Sequence, residues 1–132
     1  MRGKIGKLPE VLDRKEVGCD FSLHRVSRFL QPSLLLFLSK GISYGYELIE
    51  KLAKLGFHKE SIDVGAVYRT LRKLEKEGFV KSFWRKDKTK RRKRYYKITP
   101  QGRVLLKRWA ERIRERREAL SRFISIYKGA KL

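Results

Sequence analysis

The feature that most constrains this chain is a change of hydrophobic period at Gly78. Before it, "DVGAVYRTLRKLEKEG" places Val67, Leu71 and Leu74 at i, i+4 and i+7, the apolar stripe of a helix. After it, "FVKSFWR" (79–85) and "RYYKIT" (94–99) are rich in β-branched and aromatic residues, as strands are. The segment between them, "KDKTKRRK", has no apolar residue. The pair therefore reads as a β-hairpin with a basic tip, entered directly from a helix that Gly78 ends.

Upstream, Pro32 suits the first turn of a helix, where its missing N–H is not needed. The apolar run Leu34–Leu38 follows and Gly41 closes it, which predicts a short buried first helix. Ser43 is placed to cap a second, "SYGYELIEKLAKL", with Leu48, Ile49, Leu52 and Leu55 at helical spacing and Gly56 as a left-handed end. Ser61 or Asp63 caps the third. Downstream, Thr99 followed by Pro100 is a cap and a first-turn proline, so a long last helix is expected to about Tyr127. Residues 1–30 show no sustained period and read as an N-terminal arm, with one short apolar segment from Phe21 to Leu30. The expected organisation is an arm (1–30), a domain of three helices and a hairpin (31–99) and a C-terminal helix (100–132). This mainly α fold with a small β-hairpin is the winged helix-turn-helix plan, whose third helix enters the DNA major groove while the hairpin touches the backbone.

Charge supports a polyanionic partner. The formal net charge is +21 over 132 residues, with a pI of about 10.5. It is unevenly placed: from Phe79 to Thr99 ten cations face one acid, Asp87, a net of +9, whereas Pro32 to Gly78 carries only +2. Cys19 is the single cysteine, so no intrachain disulfide forms. The opening "MRGKIGKLPE" lacks the apolar core of a signal peptide, and "LLLFL" at 34–38 is too short to span a bilayer. The chain reads as soluble and cytoplasmic. The absence of Asn and the abundance of Lys, Arg and Glu resemble heat-adapted composition. Cys19, His24 and His58 lack the close spacing of a metal site, and neither a nucleophile–base pair nor a phosphate-gripping Gly loop is present. No enzyme activity, metal or cofactor is expected.

Three motifs carry a family resemblance. "SYGYELIEKL" (43–52) resembles the second-helix signature of PadR-like transcriptional regulators. "VGAVYRTLRKLEKEGFV" (64–80) is similar to their recognition helix, and "RRKRYYKITPQGRVLL" (91–106) to their second wing strand and the start of their last helix. Val64 and Arg69 stand where the family commonly has Pro, and Ser43-Tyr44 where His is frequent. "VYRTL" also resembles the recognition helix of ferric-uptake regulators, but their His- and Cys-rich metal sites have no counterpart here. The resemblance implies a sequence-specific, double-stranded DNA-binding regulator. It also implies a homodimeric repressor acting by promoter occlusion, with an effector of unidentified chemistry held near the dimer interface.

The candidate DNA contacts follow from helix face and charge. Arg69 and Arg72 are the expected base or phosphate readers, with Lys73 beside them, since guanidinium forks match guanine edges and phosphates. Val64 opens the helix, and Ala66 is small enough for close approach. Tyr68 either packs at the core edge or gives its hydroxyl to a phosphate. Lys88, Lys90, Arg91 and Arg92 form the wing tip and are expected on phosphates. Tyr44, near a helix start, is placed to reach another. Tyr46 is expected beneath the helix pair, and Trp84, Tyr95 and Tyr96 in wing–core packing and cross-strand pairs rather than as a stacking platform.

In the last helix Leu106, Ile113, Leu120 and Tyr127 recur every seven residues, with Trp109 and Phe123 three positions after Leu106 and Leu120. Arg116 interrupts that second row. The stripe predicts a dimer seam and hence a palindromic site; folding back onto Leu34–Leu38 and the Phe21–Leu30 segment within one chain is its alternative. Trp109, Phe123 and Tyr127 either line an effector pocket or simply pack. A sequence-tolerant architectural DNA binder and a basic RNA-binding protein are the competing functions.

Overall fold

The computed structural model describes residues 23–56 and 62–129. The arm's first 22 residues, Cys19, His58 and the Ser61 cap lie outside these. Helix α1 (Leu23–Ser39) is followed by β1 (Ser43–Tyr44), α2 (Gly45–Leu52) with a 3-10 turn (Ala53–Leu55), α3 (Val64–Lys76), β2 (Val80–Lys86), β3 (Arg92–Ile98) and α4 (Pro100–Tyr127).

Helix α1 departs from expectation, because Pro32 lies inside it rather than at its start. An interior proline loses one backbone bond and costs about 3 kcal/mol. The helix continues because Leu30, Leu34, Leu35 and Leu38, on both sides of the proline, are all at most 2% exposed. Burying four leucines at ~2 kcal/mol each outweighs the break. The Ser33 hydroxyl donates to the Phe29 carbonyl at 2.7 Å, a back-bond of the kind found at helix bends.

The start of α2 is also different. Ser43 does not cap it: Tyr44 is the N-cap and makes no side-chain cap bond. The Ser43 hydroxyl instead donates to the Glu47 carboxylate, and its backbone is spent on a strand. Ser43 and Tyr44 pair antiparallel with Tyr96 and Tyr95, so the expected two-stranded hairpin is part of a three-stranded sheet, ordered β1-β3-β2. Tyr46 is not beneath the helix pair; it is 61% exposed. The Tyr68 ring stands so close to Gly45 that any side chain there would meet it.

Other signals hold. Asp63 caps α3, accepting from the Ala66 N–H at 3.3 Å, and Gly56 and Gly78 take left-handed conformations. Thr99 caps α4 with Pro100 following. The core joins α1, α2 and the Val67–Leu71–Leu74 stripe of α3 to Val80, Tyr96 and Ile98 of the sheet. Phe79 and the first turns of α4, through Leu105, Leu106 and Trp109, pack against it. Gly102 makes that junction tight, because a Cβ there would stand 2.2 Å from the Phe79 carbonyl oxygen.

Candidate nucleic-acid interface

Helix α3 buries Val67, Leu71 and Leu74 completely and so fixes which residues point outward. At 3.6 residues per turn, Arg69 lies nearly opposite that stripe, with Arg72 and Lys73 on either side; all three are exposed, as is Lys76. Val64 is 51% exposed and Ala66 is half-buried against the core. Arg69 folds back towards the helix start, its guanidinium 3.5 Å from Asp63, over the space that Gly65 leaves open. Both partners are about two-thirds exposed, so the pair contributes little and yields readily to a phosphate or a base edge. The Tyr68 ring is half-buried and stands against Gly45.

The wing is set in register by Val80↔Ile98 through Lys86↔Arg92. Its tip is organised by the one acid of the basic tract. Asp87 Oδ1 accepts from the Thr89 N–H at 2.8 Å, the Thr89 hydroxyl at 2.6 Å and the Arg91 N–H at 3.1 Å. Asp87 Oδ2 lies 3.0 Å from Lys93 Nζ. The Thr89 hydroxyl, and then Lys93, hold the Asp87 carboxyl well below the usual carboxylate range. Asp87, followed by the Tyr44 hydroxyl, holds the Lys93 ammonium above its ordinary value. The tip is thus an ordered turn, with Lys90 in the left-handed region at φ 65° and Lys88, Lys90, Arg91 and Arg92 all projecting into solvent.

Wing and reading helix are bonded to each other. Glu75 on α3 accepts from the Ser82 N–H at 3.2 Å, the Ser82 hydroxyl at 2.6 Å and Arg94 Nη2 at 3.0 Å. Arg94 Nε donates to the same hydroxyl at 3.0 Å. Sequence reasoning passed over these residues; the signal was an acid on an otherwise cationic helix face.

The aromatic residues divide by strand face. Tyr96 is 2% exposed in the core, where burial raises its phenol's pKa. Tyr95 faces the other way, stacked on Phe83 with ring centroids 6.0 Å apart and edge-on to Tyr44 at 5.2 Å. Both tyrosines pack as expected. Tyr44 places its ring on the wing's outer surface, under Lys93. Trp84 does not pack into the core: it is 58% exposed with the Arg92 guanidinium 5.7 Å from its ring. It sits beyond Ser82 and Tyr96, where the core ends.

Of the seam residues, Leu106 and Trp109 are half-buried against the chain's own core, and Trp109 donates its indole N–H to Gln31 at 3.0 Å. Exposure then rises along α4: Ile113 36%, Leu120 53%, Phe123 65% and Tyr127 80%. Among the described residues no cluster could hold a metal ion, and no helix is long and apolar enough to cross a membrane.

A cationic helix beside a basic β-hairpin, on a core of three helices, defines a winged helix-turn-helix protein. The comparisons make the assignment more specific. The pattern of the "Transcriptional regulator PadR-like family" matches residues 34–108, over half the chain, and the chain belongs to that family. It is accordingly a DNA-binding transcriptional regulator. Solved structures agree in fold. A transcriptional regulator from Clostridium thermocellum is 24% identical, with 86% of this chain and 99% of that one covered and a TM-score of 0.63. A PadR-like regulator from Bacillus cereus is 24% identical, with 76% and 96% covered and a TM-score of 0.68. A transcriptional regulator from Thermoplasma acidophilum is 20% identical, with 77% and 96% covered and a TM-score of 0.66. No curated protein matches the chain.

Proposed function

We propose that the chain is a homodimeric repressor that reads a palindromic operator with α3 and the wing tip and excludes polymerase by occupying the promoter. The observation that carries this reading is the Glu75–Ser82–Arg94 network. It fastens the wing to the reading helix, so that Arg69, Arg72 and Lys73 and the tip cations Lys88, Lys90, Arg91 and Arg92 are presented together. Base contacts from α3 would supply preference, and phosphate contacts from the tip affinity.

The exposed half of α4 supports a dimer. Leu120, Phe123, Ile124, Ile126 and Tyr127 are each about half exposed or more, an apolar surface that monomers seldom tolerate. Nearer the core, Phe29, Pro32, Leu36, Leu55, Leu106, Ala110 and Ile113 line an open groove of about 310 Å³. The fold-back alternative therefore accounts for Leu106 and Trp109, and a second copy accounts for the remainder. Two-fold pairing would set the reading helices about one helical turn, ~34 Å, apart.

Selection of duplexes from a random pool tests the reading. A palindrome bound roughly 10³-fold or more over bulk DNA is expected. Binding without preference would favour an architectural role, and RNA that duplex DNA fails to displace would favour the RNA reading. Sedimentation at micromolar concentration should show a dimer, split by Ile113→Glu with Leu120→Glu together with loss of most operator affinity. A monomer that binds the operator tightly would overturn the dimer.

A further inference from the structure

Strand alternation sends Lys81, Phe83 and Arg85 of β2, and Lys93, Tyr95 and Lys97 of β3, to the sheet face turned away from the helical core. The register sets Lys81 directly opposite Lys97 and Arg85 directly opposite Lys93, two like-charge pairs flanking Phe83 and Tyr95. Like charges directly opposite destabilise a sheet. Only Lys93 is compensated, by Asp87; among the described residues Lys81, Arg85 and Lys97 have no carboxylate within salt-bridge distance. Arg85 lies 4.7 Å over the Tyr95 ring and Lys93 4.2 Å over that of Tyr44, which limits their motion. Folding accounts for Arg85 and Lys93; it gives no reason for Lys81 opposite Lys97, and an anion does.

We propose that this face is a second phosphate-binding strip, which takes the backbone of duplex DNA continuing beyond the half-site read by α3. The proposal rests on the DNA-reading function above and adds a surface to it. From Lys81 to Arg85 the strand advances about 13 Å, the axial rise of about four nucleotides at 3.4 Å each. Tyr95 cannot serve as a base-stacking platform, because it is 7% exposed beneath Arg85 and beside Phe83. That favours backbone contact over a single strand.

The test compares Lys81→Gln with Lys97→Gln, made together, against the parent protein on two duplexes. One is the shortest duplex from the random-pool selection that the parent binds at full preference; the other is the same site extended by ten base pairs on each side. The parent should bind the extended duplex more tightly, with a steeper salt dependence. The variant should match the parent on the short duplex and lose that gain, its slope falling by about 0.9 for each phosphate contact removed. Its thermal midpoint should equal or exceed the parent's, since a repulsive pair has gone. Equal weakening on both lengths would place these lysines inside the half-site and overturn the strip. So would an unchanged gain, which makes them solvated charges. Capture of a second labelled duplex, lost in the variant, would overturn it in favour of bridging. A parent that selects no duplex at all would overturn the DNA-reading function itself.

Discussion

Substituting Gly102→Ala sets two effects of opposite sign against each other. Ala is the better helix former by about 1 kcal/mol, so propensity alone predicts a gain. Packing predicts a loss. The added Cβ would stand 2.2 Å from the Phe79 carbonyl oxygen and 2.7 Å from Ile98 Cγ1. An ordinary carbon–oxygen contact is about 3.3 Å, so the start of α4 must retreat by about 1 Å. That retreat strains three bonds: Thr99 N–H to the Phe79 carbonyl at 3.0 Å, the Thr99 hydroxyl to the Gly78 carbonyl at 2.7 Å, and the Gly102 N–H to the Thr99 hydroxyl at 3.1 Å. Overpacking costs about 1–3 kcal/mol and a weakened cap about 1 more. The net expectation is a destabilisation of roughly 1–3 kcal/mol, or a fall in melting temperature of roughly 3–15 °C. Urea and thermal unfolding followed by circular dichroism, at one fixed protein concentration, measure it. A variant as stable as the parent, or more so, would refute the close-approach argument.

Arg69→Ala or Arg72→Ala leaves the buried stripe of α3 intact, so the fold should survive; loss of a base contact should cost about 1–3 kcal/mol in competition binding and relax preference at one position per half-site. Loss that is uniform over all sequences would assign the residue to phosphate instead. Lys90→Gly relieves a left-handed lysine and should raise stability by roughly 0.5–1 kcal/mol, while the salt slope of DNA binding falls by about 0.9 if Lys90 meets a phosphate; unfolding and binding titrations separate the two. Asp87 is held ionised below its unfolded value near 4, so its contribution to the tip is complete above about pH 4 and is lost only as acid reaches the depressed folded value. The Thr89 and Arg91 amide resonances should therefore stay fixed from pH 7 to about 4, and a midpoint at the ordinary carboxylate value would contradict the hydrogen-bonded turn.

Local rules made much of this legible. Asp63, Gly56, Gly78 and the Thr99-Pro100 pair mark boundaries because a cap or a left-handed turn depends on one residue and its immediate neighbours. Val67, Leu71 and Leu74 fix the face of α3 by period alone. What could not be read depends on partners distant in sequence. Pro32 breaks a helix by local rules, yet the leucines around it are buried by α2, α3 and the sheet. β1 is two residues long, below any pattern length, and exists only because Tyr95 and Tyr96 offer it a ladder. Tyr46, expected beneath the helix pair, is exposed, and the ring that stands against Gly45 is that of Tyr68, one helix further on. Glu75 has its partners 7 and 19 residues downstream, because β2 and β3 bring Ser82 and Arg94 to it. The seam on α4 was visible as a repeat, but its division between the chain's own core and exposed surface was not, because Gln31 and α1 decide it.

The Thr99 junction has a mechanical consequence. Its two bonds to Gly78 and Phe79 fix the base of α4 to the end of α3, and the 28-residue helix then projects with little support beyond Ile113. At 1.5 Å per residue it is an arm about 42 Å long. A tilt of about 5° at the junction sweeps its far end through about 4 Å, and holding that far end suppresses the tilt in the same proportion. A lateral load near Tyr127 is carried by the Thr99 junction and by the packing of Leu105, Leu106 and Trp109 on the core.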